Sequence, residues 1–179
     1  MGRTERTPAA FEALWDAHFD AVLGYARRRS DPDAAPEAAA ETFAVAWRRW
    51  DEVPDDPLPW LLGVCRRVIA NQRRGEGRRR RLLARLAGLP PEVVPDMAEV
   101  RAEADAVRSA FLRLGARDRE TLALVAWDGL TPAQAADVCG CSPGAFANRL
   151  HRARRRLAGE LGRAAESSPA ADPVLEDAP

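Results

Sequence analysis

Residues able to read a base edge cluster in the last third of the chain. Asn148, Arg149, His151, Arg152, Arg154, Arg155 and Arg156 lie within nine positions, and no acid falls among them. An asparagine can pair bidentately with adenine, and an arginine with O6 and N7 of guanine, so this stretch carries the chemistry of major-groove readout. In that reading Asn148 and Arg152 meet bases and His151 is a further candidate. Arg149, Arg154, Arg155 and Arg156 meet phosphates. A second basic block, residues 66–85, holds nine arginines against Glu76 alone, a net charge of +8. It includes Arg66, Arg67, Arg73 and Arg74, with Trp60 just before it. An aromatic beside a basic groove can stack on an unpaired base. Trp60 suits a core position equally well, as do Trp15, Trp47, Trp50 and Trp127.

These groups need elements to hold them, and the pattern is helical nearly throughout. Thr131-Pro132-Ala133-Gln134 reads as a capping box with proline in the first helical position. Gly140 suits the left-handed residue that ends the helix, and Ser142-Pro143 caps the next one. Ala136, Gly140 and Phe146 give the small–glycine–apolar spacing of a helix-turn-helix, whose second helix carries the basic run. Upstream, Phe11, Leu14, Trp15, Phe19, Val22, Leu23 and Ala26 form one amphipathic stripe. Asp31-Pro32 is expected to start a second helix, with Ala39, Phe43, Ala46, Trp47 and Trp50 on one face. Three prolines among residues 54–59 interrupt it. A third helix is expected from about Trp60, burying Leu61, Val64, Cys65 and Val68, and Gly75-Glu76-Gly77 should weaken or end it. Residues 88–96 combine breakers with no period and read as a linker. Val100, Ala104, Val107, Phe111 and Leu114 restart a stripe, and Leu122, Val125 and Ala126 continue a second to Asp128-Gly129.

The expected fold is therefore all-α, two small helical domains joined by a flexible linker, the C-terminal one a helix-turn-helix. Its expected parts are residues 8–86, a linker over 87–99, a second module over 100–163 and a disordered acidic tail over 164–179.

Composition agrees once the charges are located. The 179 residues hold 27 basic and 27 acidic side chains, and every basic one is arginine. The zero net charge argues against nucleic acid only if the charges are mixed evenly. They are blocked: +8 over 66–85 and +5 over 149–156, offset by eight acids over 31–56 and by Glu166, Asp172, Glu176 and Asp177. The absence of lysine fits a GC-rich genome whatever the function. No run approaches the roughly 18 apolar residues of a spanning helix, and residues 1–10 lack a signal-peptide core. Three cysteines in apolar runs fit reduced thiols, so the expected location is cytoplasmic.

The chain resembles the extracytoplasmic-function sigma factors of bacterial RNA polymerase, within the sigma-70 family. The residues that carry the likeness are Glu41-Thr42-Phe43, Ala46-Trp47-Arg48, Pro59-Trp60-Leu61-Leu62 and Arg73-Arg74. In the second half they are Leu112, Leu114, Arg119-Glu120, Asp128-Gly129-Leu130-Thr131, Ala136, Gly140, Ser142, Gly144 and 149–154. The resemblance implies a subunit that binds core polymerase and directs it to specific promoters. Glu37, Glu41, Phe43 and Trp47 would face the polymerase clamp helices. Trp60, Arg66, Arg67, Arg73 and Arg74 would recognise and open the −10 element. Asn148, Arg149, His151, Arg152, Arg154 and Arg155 would bind the −35 element. Core polymerase and promoter DNA are the implied partners, and an anti-sigma factor is allowed; no membrane or small-molecule substrate is implied. The chain departs from the family pattern at Ala40, where a glutamine is usual, and at Arg67, where an asparagine is common.

Other classes fit less well. A helix-turn-helix regulator acting without polymerase would bind DNA alone and never co-purify with core enzyme. An interaction protein would use its basic faces on an acidic partner. An enzyme is poorly supported: His18 and His151 are the only histidines, and Cys139 with Cys141 falls short of a four-ligand zinc set. Gly75-Glu76-Gly77 lacks phosphate-loop spacing. No metal, cofactor or catalytic residue is expected.

Overall fold

A computed structural model of the chain describes residues 6–86 and 106–166. The expected linker, the tail beyond 166, Val100 and Ala104 lie outside the described residues. Within them the protein is all-helical: α1 (Pro8–Arg27), α2 (Ala35–Arg48), a single 3-10 turn (Trp50–Glu52), α3 (Pro57–Leu86), α4 (Ala106–Arg113), α5 (Ala116–Ala126), α6 (Pro132–Cys139) and α7 (Pro143–Glu166).

Helices α1, α2 and α3 pack on one another as a first module. Thr7 accepts a hydrogen bond from the Ala10 amide at 3.1 Å and caps α1, with Pro8 in its first turn. The apolar stripe of α1 meets Phe43 of α2 in an aromatic cluster. Trp15 stacks on Phe19 at 4.4 Å between ring centroids and tilts against Phe43 at 4.7 Å. Leu61, Val64, Cys65 and Val68 of α3 are buried as expected, joined by Leu62 and Ile69.

Three boundaries differ from expectation. Asp31 organises a turn, its carboxylate accepting from the Asp33 amide at 3.0 Å, and α2 starts only at Ala35. Helix α3 starts at Pro57 rather than near Trp60, because Pro57 and Pro59 both occupy the first turn, where amide donors have no intrahelical acceptor. Its far end runs unbroken through Gly75 and Gly77 to Leu86. A glycine in a helix interior costs only about 1 kcal/mol, and α-helical torsions remain open to it.

The second module packs α7 against α4, α5 and α6. Arg119 crosses the α4–α5 turn, donating to the carbonyls of Leu112 and Leu114, both at 2.9 Å. Arg113 of α4 donates to Glu160 of α7 at 2.8 Å. The two modules also touch. Leu61, Leu62 and Val64 of α3 belong to one continuous core with Ala135, Ala136 and Val138 of α6. A Cβ added at Gly63 would stand 3.8 Å from the Cα of Val138.

Candidate nucleic-acid interface

The helix-turn-helix forms as its sequence predicts. Thr131 Oγ1 accepts from the Gln134 amide at 3.3 Å, while Gln134 Oε1 accepts from the Thr131 amide at 2.8 Å. Gly140 ends α6 with φ of 64°, a backbone region that strains residues carrying a Cβ. Its amide closes the helix on the carbonyls of Ala136 and Asp137. Ser142 Oγ then accepts from the Ala145 amide at 3.2 Å and caps α7. Ala136 and Phe146 are fully buried, as the small-then-apolar spacing requires.

Helix geometry sorts the side chains of α7. Phe146, Leu150, Ala153 and Leu157 share the stripe that faces α4–α6. At about 100° per residue, Asn148, His151, Arg152 and Arg155 fall on the opposite stripe, and all four are exposed. Arg149 and Arg156 take one flank and Arg154 the other. Arg149 is half-buried beside Cys139. Arg156 Nη1 donates to Asp118 Oδ2 at 2.5 Å, so one of the expected phosphate contacts also ties α7 to α5. Arg152 Nε donates to the Asn148 carbonyl at 3.3 Å and otherwise projects outward.

On α3 the candidate residues divide. Trp60 is partly buried and packs on the core, at the end of α3 that faces α6. Arg67 is exposed. Arg73 donates to the Arg29 carbonyl at 2.6 Å, and Arg74 to the Asn71 side chain. Arg66 reaches the other module, where its Nε donates to Glu120 Oε1 at 2.8 Å, and that bond raises the arginine's already high pKa.

On α2, Glu37 sits in the first turn, a favourable place for a negative charge. Glu37 and Glu41 are both exposed, and Glu41 accepts from Arg48 at 2.7 Å. Trp47 keeps 36% of its surface in solvent and forms the rim of an open apolar hollow of about 490 Å³ with Phe11, Trp15, Ala40 and Ala44. Phe43 is fully buried beneath it, so it shapes this face from inside. Among the other tryptophans, Trp127 is 57% exposed despite its edge contact with Phe111, which removes it from the core. His18 is half-buried on α1.

Sequence reasoning passed over one group of residues. Asp128, taken only as a helix stop, has 2% of its side chain exposed and accepts from both Arg28 and Arg29 at the end of α1. Gln134 Nε2 donates to Asp56 Oδ2 at 2.8 Å, beside the start of α3. The one available signal was the acid at 128 directly before a glycine of the helix-turn-helix, and it did not identify a partner.

No described helix is long and apolar enough to cross a membrane. Among the described residues no three His, Cys, Asp or Glu side chains are grouped to hold a metal ion.

Comparison with known proteins agrees with this geometry. The model of the family described as sigma-70, region 4 matches residues 104–157. The RNA polymerase sigma-E factor of Streptomyces avermitilis is 30% identical over 153 residues, covering 84% of this chain and 84% of that protein. The ECF RNA polymerase sigma factor SigC of Mycobacterium tuberculosis is 30% identical over 152 residues, covering 83% and 81%. Among solved structures, the sigma factor RpoE of Bartonella quintana, crystallised with the anti-sigma factor NepR, aligns with a TM-score of 0.63 at 26% identity. That alignment covers 86% of this chain and 97% of that one. The fold, the helix-turn-helix and these relatives agree: the chain belongs to the extracytoplasmic-function sigma factors of bacterial RNA polymerase.

Proposed function

We propose that this sigma factor divides its work among three helices. Helix α7 enters the major groove of the −35 element with Asn148, His151 and Arg152 toward the bases. Arg149, Arg154 and Arg155 hold the backbone on either side. Helix α3 meets the −10 element, with Arg66, Arg67, Arg73 and Arg74 on phosphates and Trp60 at the end where an unstacked base would be received. Helix α2 presents Glu37, Glu41 and Trp47 to core polymerase, with Phe43 supporting the face from within. In this reading residues 8–86 and 100–163 are the working modules and 87–99 their connection. The chain acts in the cytoplasm, performs no catalysis of its own, and is open to control by an anti-sigma factor.

The observation that carries the reading is the outer stripe of α7, polar and exposed on a helix whose opposite side is a packed core. Transcription by bacterial core polymerase on a library of genomic fragments, with and without the chain, tests it. Start sites that appear only with the chain are expected. Binding of DNA by the chain with no such starts and no co-purification with core would instead identify a regulator that works apart from polymerase.

A further inference from the structure

The two modules touch through a surface that promoter binding has no use for. Elements centred 25 positions apart lie about 85 Å apart along straight DNA, at about 3.4 Å per base pair. Helices α3 and α6, one from each module, pack at van der Waals distance at Gly63 and Val138. Arg66, a candidate for the −10 contact, is bonded to Glu120 of the second module. The Gln134–Asp56 bond brings the first helix of the helix-turn-helix beside the end of α3 that carries Trp60. A chain in this arrangement cannot occupy both elements at once.

We propose that this contact is an intrachain latch, with Asp128 as its bolt, and that it keeps the free sigma factor closed until core polymerase separates the modules. The inference rests on the promoter reading given above. Asp128 is almost without solvent and lies between two guanidinium groups, Arg28 and Arg29. Arg29 is itself held in place, its guanidinium carbon 3.7 Å above the centre of the Tyr25 ring. Neutralising Asp128 leaves two arginines side by side against an apolar interface, which weakens the closed state specifically. Full opening is far less costly, because water solvates the acid and both bases together. A latch of this kind lowers the apparent affinity for promoter and polymerase by the fraction of open chain, without altering a single intermolecular contact. None of Asp128, Arg28 and Arg29 belongs to the proposed polymerase or DNA surfaces, so the latch can be changed separately from them.

The test uses the full-length chain and two substitutions on opposite sides of the contact, Asp128→Asn and Arg28→Gln. Small-angle scattering of the free protein gives the radius of gyration, and a titration against core polymerase gives the sigma concentration for half-maximal transcription. Circular dichroism on both variants checks that helix content is retained. The expected result is a compact wild-type chain, expansion in both variants, and a fall of about tenfold in the half-maximal concentration. A wild-type chain as expanded as the variants would overturn the latch. Expansion with an unchanged titration would overturn its inhibitory role. A wild-type chain that supports no promoter-directed transcription would instead strike the functional reading and leave the scattering result standing.

Discussion

Replacing Arg152 with alanine separates base reading from charge. Arg152 lies on the outer stripe of α7, and its one intramolecular hydrogen bond is a long one to the Asn148 carbonyl, so truncation should leave stability within about 0.5 kcal/mol of wild type. From Asn148 to Arg152 is one helical turn, a rise of about 6 Å, close to two base-pair steps of about 3.4 Å. The two side chains therefore address positions about two steps apart in one groove. Loss of a bidentate guanine contact costs about 1–3 kcal/mol, or about 5- to 140-fold in affinity, confined to one base position. Arg155, a further turn along, is assigned to phosphate. Its truncation should weaken every sequence alike and reduce the slope of log affinity against log salt by about 0.9. Fluorescence anisotropy of the full-length chain on duplexes carrying a selected −35 element, its single-base variants and a scrambled sequence, at several salt concentrations, measures both. Equal losses for Arg152→Ala on cognate and scrambled duplexes would refute the division.

Three further outcomes follow from the geometry. Thr131→Ala removes the α6 cap at a cost of about 1 kcal/mol, which should lower the melting temperature by about 2–4 °C in a chain of this size. Phe146→Ala empties the centre of the second module and should cost about 3–5 kcal/mol by urea denaturation, abolishing −35 binding while α1–α3 stay helical. Burial pushes the Cys65 thiol up from 9.0 to about 11, so the folded chain keeps a proton that the unfolded chain loses. Stability linked to this group is intact below pH 9 and declines between pH 9 and 11, and Cys65 should label with thiol reagents more slowly than the less buried Cys141. Equal labelling rates for the two in the folded protein would contradict that placement.

Local features were legible because their causes are local. The Thr131–Gln134 box, the turn at Gly140 and the Ser142 cap need only neighbours in sequence, and each forms as read. The stripe of α1 and the buried face of α3 follow from helical period alone. The start of α3 was misplaced because proline was weighed as a breaker, although in a first turn it breaks nothing. Trp127 was grouped with core aromatics because hydrophobicity does not say whether a neighbour arrives to cover the ring, and here only Phe111 approaches its edge. The Asp128 contact was invisible for a stronger reason. Its partners lie 99 and 100 positions away, and nothing in a periodic pattern says which end of one module meets which end of another.

The unbroken course of α3 through its two glycines makes that helix a ruler. From Trp60 to Arg81 there are 21 residues, hence about 31 Å of rigid rise, which matches about nine base pairs. A hinge at Gly75 would have let the arginines beyond it drift relative to the tryptophan. A continuous rod instead holds the two at a set separation and rotational phase. Inserting a single residue between them would turn one end by about 100° against the other, so the spacing of residues 60–81 is itself part of what the protein can recognise.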